Sequence, residues 1–252
     1  MSALRLRALL QKEWRDMLRN KMVLLSVIIA PLILLSVSVF MLVLFNGSYE
    51  ELARLNYAGD FEREWAILFN NILMFFLIMP LVIPVSLAVY AVVGEKEQGS
   101  LEPLLATPLT DGELFMGKAV ASVLPGLAVT WFCFGLFSMF LLFLMPGQAG
   151  LFFKPAWLLS LFALAPLLAT FSVLTAMAIS ALTRDTRAAY QLSSLIILPF
   201  LVGGLSFVFT QPGLVSPVTV GMGMGLMALL DALMLWVCVR LFRRQDILTR
   251  WR

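Results

Sequence analysis

Histidine is absent from this chain of 252 residues, and cysteine occurs only twice. Without imidazole there is no Ser-His-Asp triad, no histidine-ligated zinc hydrolase centre and no histidine-ligated haem. Cys133 and Cys238 both fall inside long apolar stretches, which suits small packing residues and neither a disulfide nor a metal site. We therefore expect no metal site, no catalytic residues and no enzymatic activity in this chain itself.

Charged residues are also scarce, at 13% of the chain against 61% hydrophobic residues. A soluble domain has about 25% charged and about 45–50% apolar residues. Apolar runs of this length predict transmembrane helices, because about 20 residues cross the hydrocarbon core of a bilayer. We predict an all-α integral membrane protein, a single domain over residues 1–252 with six transmembrane helices. These lie at about residues 22–45, 66–93, 119–145, 157–182, 192–209 and 218–241.

The distribution of basic residues predicts the orientation of these helices. If the N-terminus is cytoplasmic, 15 of the 18 Lys and Arg residues lie in cytoplasmic segments and 3 lie on the opposite side. Cytoplasmic loops are rich in Lys and Arg, so we expect both termini inside. The pI of about 9.1 then reflects this bias and not a nucleic-acid-binding surface, and we expect no nucleic acid partner.

Residues 1–21 are predicted to form an amphipathic helix at the cytoplasmic membrane surface, in contact with lipid. Large apolar residues recur there at helical spacing among basic residues, as in helices that lie in the membrane interface. The apolar positions are Leu6, Leu10, Trp14, Met17 and Leu18. A helix packed against a soluble partner has the same pattern, and the two interpretations are compatible.

Proline occurs in five of the six predicted spans. Each proline removes one backbone hydrogen bond, and in lipid the freed carbonyl must find another donor. We therefore expect bent helices whose freed carbonyls are bonded by neighbouring helices or by water. The prolines concerned are Pro31, Pro80, Pro84, Pro125, Pro166 and Pro199.

A charged stretch at residues 94–118 interrupts the apolar sequence between the second and third predicted spans. Its seven formal charges would cost on the order of 20 kcal/mol inside a bilayer, so the stretch must lie in water or against another protein. Ser100 can cap a short helix over residues 101–106, which ends before the following proline. Thr110 and Glu113 form a capping box that starts the next helix. The short helix exposes leucines, which indicates a protein partner.

One pattern in this stretch imitates a nucleotide-binding site. Residues 112–118 fit GxxxxGK, the start of a phosphate-binding loop, but Ala119 stands where Ser or Thr would hold Mg²⁺. No strand is predicted before the pattern, and bulky residues fill its middle, so the backbone is not expected to wrap a phosphate. We predict that this chain binds no nucleotide.

The same stretch resembles the segment between the second and third spans of ABC-2 type transporter permeases. Residues 12–21 resemble the lead-in helix of that family, and six spans with both ends inside agree with it. Ser100 stands where Thr is more usual, and both residues cap a helix. The resemblance rests on Gly94, Glu95, Lys96, Glu97, Gly99, Ser100, Leu101, Glu102, Leu104, Leu105, Thr107, Pro108, Glu113, Gly117 and Lys118.

The resemblance implies that residues 95–107 are a coupling helix, seated in a cleft of a separate cytoplasmic ABC ATPase subunit. ATP and Mg²⁺ would be bound by that subunit, and no cofactor by this chain. It further implies an exporter in the inner membrane of a prokaryote, with a second permease copy or a paralogous permease as dimer partner. The loop at residues 183–190 would be a minor ATPase contact. The implied ATPase contacts are the acidic Glu95, Glu97 and Glu102, and the cleft-filling Leu101, Leu104 and Leu105.

Asp231 lies near the middle of the sixth predicted span. Carboxyl groups inside a membrane are costly and by default mark a functional site. No Lys or Arg lies deep in a predicted span to pair with it. Two interpretations stay open: a residue of the substrate path or a cation contact, or a protonated carboxyl that is hydrogen-bonded to hydroxyl groups. The candidate hydroxyl groups are those of Thr170, Ser172, Thr175 and Ser206.

Two other classes of protein fit the sequence less well. An intramembrane aspartyl protease needs two facing aspartates, and Asp231 is alone within the predicted spans. An ATP-independent secondary transporter or channel is the alternative function, although neither an internal repeat nor a second ionisable residue at midplane supports it. The substrate stays open among lipids, peptides, drugs and metal ions.

Overall fold

The structure is a computed structural model that describes residues 3–54, 61–97, 111–183, 185–210 and 216–241. Within these residues every regular element is helical. The long helices are α1 (Ala3–Arg19), α2 (Lys21–Arg54), α3 (Phe61–Val89), α5 (Asp111–Leu144), α8 (Ala165–Leu182), α9 (Thr186–Thr210) and α10 (Pro217–Leu241). The short elements are α4 (Glu95–Glu97), α6 (Ala149–Phe152), α7 (Pro155–Leu159), π-helical turns at Tyr90–Gly94 and Ser160–Leu164, and a 3-10 turn at Pro146–Gln148.

Five helical stretches within the described residues are long and apolar enough to cross a membrane. They correspond to the predicted spans one to four and six. Helix α9 covers the fifth predicted span with 25 residues, but it is not among these five, and Arg187 and Gln191 make its first turns polar. Six spans and their orientation therefore stay predictions. The five stretches are Val23–Gly47, Arg63–Glu97, Gly112–Leu144, Pro155–Leu182 and Pro217–Leu241.

Helix α3 is the centre of the bundle and packs against α2, α5, α8 and α9. Helix α8 is the second central helix, because it also packs against α5, α9 and α10. Helices α3 and α5 approach so closely that a Cβ added to Gly126 would lie 2.5 Å from Cγ of Pro84. Glycine permits this approach because it has no side chain to place between the two backbones. The outer helices α2 and α10 are mostly exposed and apolar, as expected of helices that face lipid.

Carbonyls freed by proline are bonded by side chains of neighbouring helices. The Pro80 carbonyl, four residues before Pro84, lacks its helical donor and lies 3.2 Å from Ser172 Oγ on α8. The single hydroxyl hydrogen of Ser172 is shared with the Ala169 carbonyl of its own helix at 2.9 Å. Trp14 Nε1 on α1 donates at 3.1 Å to the Ala121 carbonyl, which Pro125 frees in the same way. For Pro84 and Pro125 these contacts agree with the expectation that neighbouring helices supply the missing donors, and they join α8 to α3 and α1 to α5.

A third freed carbonyl lies in a π-helical turn. In Ser160–Leu164 the backbone donor stands five residues after its acceptor, and Pro166 is five residues after Leu161. Pro166 has no N–H to donate, and Trp131 Nε1 on α5 donates to the Leu161 carbonyl at 3.1 Å instead. The π-helical turn is therefore held to α5 by an indole hydrogen bond.

Helix α1 packs against the bundle through a face that includes a glutamate, and its predicted position in the membrane interface stays a prediction. Leu9, Glu13 and Met17 are buried and recur every four residues, whereas Trp14 and Leu18 are exposed at 39% and 66%. Of the large apolar residues named in the prediction, Met17 is buried, whereas Trp14 and Leu18 are exposed, although the Trp14 indole donates to a carbonyl of α5. Glu13 on the buried face has its partner, Lys118, on α5.

The end of the bundle opposite Glu95 is closed by aromatic side chains. Phe152 of the short helix α6 is fully buried, with ring centroids 5.3 Å from Phe69, 5.6 Å from Phe134, 5.4 Å from Phe137 and 5.2 Å from Trp157. Aromatic pairs at such distances add stability beyond the area they bury. Phe152 therefore anchors the connection between α5 and α7 to the core.

Candidate functional site

A buried ion network joins α1, α4 and α5 at one end of the bundle, which we call the Glu95 end. Lys118 of α5 is 2% exposed, and its ammonium donates to Glu13 Oε1 of α1 at 3.0 Å and to Glu95 Oε2 of α4 at 2.6 Å. Its third hydrogen bond goes to the Ala91 carbonyl in the π-helical turn at 2.6 Å. All three donors of the ammonium are used, which is the condition for burying a charge at tolerable cost.

Lys12 adds a second cation at the edge of this network. Its ammonium pairs with Glu95 Oε1 and lies 3.4 Å from Glu13 Oε1 and 3.4 Å from Asp16 Oδ2. Partial burial lowers the pKa of Lys12, but the hydrogen bond to Glu95 and the three carboxylate charges outweigh it and raise the pKa above its usual 10.5. Glu95 therefore has one lysine on each carboxylate oxygen, from α1 and from α5.

The next two residues of α4 fix the ends of α8 and α9. Lys96 Nζ donates to three carbonyls at the C-terminal end of α8, including Ala181 at 3.3 Å and Thr183 at 3.2 Å. Glu97 Oε1 accepts a hydrogen bond of 2.9 Å from the N–H of Thr186, the first residue of α9. Both charges have the sign that a helix dipole favours, a cation at a C-terminus and an anion at an N-terminus.

Three consecutive side chains thus connect α4 to four other helices. Glu95 holds α1 and α5, Lys96 holds α8, and Glu97 holds α9. Any displacement of α4 must carry these helices with it or break the bonds, several of which involve buried charges that are costly to leave unpaired. Helix α4 therefore links α1, α5, α8 and α9 at the Glu95 end, and we call residues Glu95–Glu97 the junction.

Some of the predicted site residues lie within the part of the chain that the structure describes, and others lie outside it. Gly99, Ser100, Leu101, Glu102, Leu104, Leu105 and Pro108 lie outside the described residues, so the predicted helix at residues 101–106 stays a prediction. Glu95, Glu97, Glu113, Gly117 and Lys118 are described, and the last three lie on α5. The fold brings Glu95 of α4 and Lys118 of α5 into direct contact. Glu97 follows Glu95 by two residues on α4.

The stretch that imitates a phosphate-binding loop is part of helix α5. Residues 112–118 are helical, and α5 begins at Asp111, immediately after Thr110 of the predicted capping box. A helical backbone cannot wrap its N–H groups around a phosphate, and Lys118 is committed to Glu13 and Glu95. Residues 112–118 therefore form part of a helix, and the lysine of the pattern forms ion pairs with two glutamates.

Sequence analysis did not identify Lys12, Glu13 or Lys96 as partners in this network. A signal for Glu13 was present, since it stands four residues after Leu9 and four before Met17, on the buried face of α1. An acidic residue in line with buried apolar residues indicates a partner on another helix. The identity of that partner, however, depends on how α1 packs against α5.

Asp231 of α10 is 9% exposed, and neither of its carboxylate oxygens has a hydrogen-bond partner among the described residues. The hydroxyl groups of Thr170 and Ser172 instead donate to backbone carbonyls of α8 at 2.8 and 2.9 Å. The Thr175 hydroxyl makes no hydrogen bond within the described part, and the Ser206 side chain lies outside it. The interpretation of Asp231 as a carboxyl bonded to these hydroxyls thus finds no supporting contact in the described structure.

Two of the cavities of ligand size within the described bundle lie beside α10. One cavity of about 510 Å³ lies between α3, α9 and α10, toward the end of the bundle that Phe152 closes. Its walls are apolar, with a few polar side chains such as Asn70 and Thr219. Another of about 340 Å³ lies between α5 and α10 and contains Asp231. Small-molecule sites typically measure about 300–1,000 Å³ and are mostly apolar with a few placed polar groups. Both cavities are therefore candidates for contact with a substrate.

Long apolar helices packed around two central ones define a multi-pass integral membrane protein. A family model described as "ABC-2 family transporter protein" matches residues 7–219. The chain belongs to this ABC-2 family, which confirms the resemblance found in the sequence, and it is accordingly a permease of the ABC transporter class. No curated protein shows significant sequence similarity to the chain.

Proposed function

We propose that this chain is the permease subunit of an ABC exporter, which couples ATP hydrolysis by a separate cytoplasmic ATPase to movement of a substrate across the membrane. Membership of the ABC-2 family supports an association with an ATPase in general. The chain itself contributes no catalytic residues and no cofactor, since ATP and Mg²⁺ belong to the ATPase. Residues 95–107 are the coupling segment that the ATPase contacts.

The single observation that carries this proposal is the junction at Glu95–Glu97. These residues are the described part of the coupling segment, and they are bonded to α1, α5, α8 and α9. A force that the ATPase exerts on the coupling segment enters the bundle at this junction. It then acts on four helices at once, because buried ion pairs resist separation.

The junction also brings both predicted cytoplasmic loops to one place. Glu97 follows the second predicted span and accepts a hydrogen bond from Thr186, which lies in the predicted loop at residues 183–190. Residues 186–190 of that loop are already helical and form the start of α9. A single ATPase surface is thus able to contact the coupling segment together with this second loop. We further propose that both termini are cytoplasmic, that α9 is the fifth of six spans, and that the protein lies in the inner membrane of a prokaryote.

The working unit in this proposal contains two permeases, either two copies of this chain or one copy with a paralogue. Substrate moves along a path to which the apolar cavities contribute, and Asp231 lines one of them. Export is the direction that the family resemblance favours. An ATP-independent transporter or channel is the competing function, and it predicts substrate movement by the purified permease without an ATPase.

The test is co-purification from native membranes with the ATPase, identified by mass spectrometry as a protein with an ATP-binding cassette. Glu102→Lys reverses a charge in the coupling segment and is expected to abolish the association. Glu64→Lys is the matched control, because Glu64 lies at the opposite end of the bundle, on the first turn of α3. The control is expected to retain the ATPase, as the wild type does.

The outcomes separate the competing functions. Retention of the ATPase by Glu102→Lys would refute the assignment of residues 95–107 as the coupling segment. Substrate-stimulated ATP hydrolysis by the reconstituted wild-type complex, measured over a panel of lipids, peptides and drugs, would support coupling. Transport by the permease alone, at the same rate with and without ATP and ATPase, would establish the secondary transporter instead.

A further inference from the structure

A groove on the membrane-facing surface lies between α5 and α10, with α8 as its floor. Its volume is about 340 Å³. Met116, Leu124 and Leu235 on its rims are 46%, 45% and 40% exposed, so the groove opens sideways toward the lipid. It belongs to the half of the membrane nearer the Glu95 end, since Met116 is two residues from Lys118. The remaining lining residues are Ala119, Val120, Val123, Thr170, Leu174, Asp231 and Ala232.

Asp231 is the one ionisable side chain among the residues that line this groove. It is nine-tenths buried, and within the described residues both of its carboxylate oxygens are without hydrogen-bond partners. Thr170, the other polar side chain of the lining, donates its hydroxyl to the Pro166 carbonyl at 2.8 Å. An unpaired carboxylate in an apolar environment is costly, and a cation in the groove would remove that cost.

The basic side chains nearest to the groove along the chain have other partners. Lys118 is enclosed by Glu13 and Glu95. Arg240, two turns beyond Asp231 on α10, stacks on Trp236 with its guanidinium carbon 3.7 Å from the ring centroid. Neither of these two described basic residues is a counter-ion of Asp231, which leaves its carboxylate available to a cation from outside.

The chemistry of the walls selects the kind of cation. A metal ion needs several oxygen, nitrogen or sulfur ligands, and the described residues contain no group of three His, Cys, Asp or Glu side chains that could hold one. The groove instead offers one carboxylate and a wall of methionine, valine, leucine and alanine side chains. An organic cation with an apolar body matches both features, since its charge pairs with Asp231 and its body replaces lipid against the walls.

We infer that the groove between α5 and α10 binds an amphipathic organic cation, which enters sideways from the membrane and pairs with Asp231. Binding by itself does not depend on the ATPase. The further step, that such a cation is the transported substrate, rests on the proposed function. The inference narrows the open substrate classes to membrane-soluble amines and related cations.

The experiment measures binding of radiolabelled tetraphenylphosphonium to the purified full-length permease in nanodiscs of uncharged lipid, with empty nanodiscs subtracted. Asp231→Asn keeps the shape of the side chain and removes its charge, and it is expected to raise the Kd at least about tenfold. Ala232→Phe fills the groove without touching the carboxylate and is expected to weaken binding as well. Ser38→Ala is the control, because Ser38 is a buried polar residue of α2, outside the groove.

Charge selectivity is tested by competition. Unlabelled tetraphenylphosphonium should displace the probe, whereas triphenylphosphine oxide, which has the aromatic rings without the charge, should not. The inference is overturned by absence of binding to the wild type, by an unchanged Kd in Asp231→Asn or Ala232→Phe, or by equal displacement by the neutral compound. A permease that binds no cation but retains its ATPase refutes this inference alone. One that binds the cation but has no ATPase refutes only the proposed function.

Discussion

Replacing Lys118 by methionine tests whether the ion network holds the Glu95 end together. Methionine keeps the length of the lysine side chain and removes its charge. Glu13 and Glu95, which are 3% and 8% exposed, lose a partner at 3.0 Å and at 2.6 Å respectively. The Ala91 carbonyl loses its side-chain donor as well. Lys12 remains beside both carboxylates and compensates part of their charge.

The expected cost follows from this arrangement. Removing one partner of a buried ion pair destabilises a protein by about 3–5 kcal/mol, because a buried charge is left uncompensated. Lys12 keeps its contacts with both carboxylates, so we expect the lower end of that range, about 3 kcal/mol. For a chain of this size, about 2–4 °C of melting temperature corresponds to each kcal/mol, which gives a decrease of about 6–12 °C.

The chain carries suitable reporters for the measurement. Cys133 and Cys238 are its only cysteines and are buried, at 5% and 0% exposure, so a thiol-reactive dye reports unfolding in detergent during a temperature ramp. Lys154→Met, which removes an exposed lysine at the opposite end, should melt like the wild type. Lys118→Met combined with Glu13→Gln should regain part of the lost stability. A melting temperature of Lys118→Met equal to that of the wild type would refute the reasoning.

Further predictions concern packing, a proline-freed carbonyl and pH. Gly126→Ala should destabilise the protein by about 1–3 kcal/mol, since its Cβ would lie 2.5 Å from Pro84 Cγ, whereas Gly135→Ala on the same helix meets nothing within 4 Å and should not. Equal melting temperatures of the two variants would contradict this. Trp14→Phe should cost about 1 kcal/mol in the same thermal assay, because a carbonyl of α5 loses its donor, and an unchanged melting point would count against that bond. The pKa of Lys12 is raised when folded, so its stabilising effect is complete below the unfolded value of 10.5 and is lost only as pH rises through the folded value. The melting-temperature difference between wild type and Lys12→Met should therefore be the same at pH 6 and pH 9, and a difference that shrinks by pH 9 would refute the raised pKa.

Much of the architecture could be predicted from the sequence because its determinants are local. The apolar runs predicted helices that the structure contains, since a bilayer requires about 20 consecutive apolar residues in helical form. The capping box at Thr110 and Glu113 predicted a helix into the third span, and the described residues from Asp111 onward are helical, whereas Thr110 lies outside them. The fifth span is the weakest of the predictions, because α9 begins with polar turns.

The candidate site was predictable only in part, because its function depends on contacts between distant residues. Glu95 and Lys118 belong to the motif that indicated the family, but their contact with each other and with Glu13 requires the packing of α1 against α5. Lys118 and Glu13 are 105 positions apart, and no periodicity relates them. The expected role of Glu95 as an ATPase contact stays a prediction, to which the structure adds an internal role.

The sequence by itself determined that this chain is a helical membrane protein of the ABC-2 family, because composition, helix signals and a contiguous motif are properties of neighbouring residues. Only the tertiary structure decided which donors satisfy the proline-freed carbonyls and which helices the Glu95–Glu97 junction holds. It also decided that Asp231 lies at a groove with apolar walls and that its buried carboxylate oxygens meet no hydroxyl group of the described α8. In an apolar medium each buried polar group must find a partner or bear a high cost, and the partner is chosen by how helices pack.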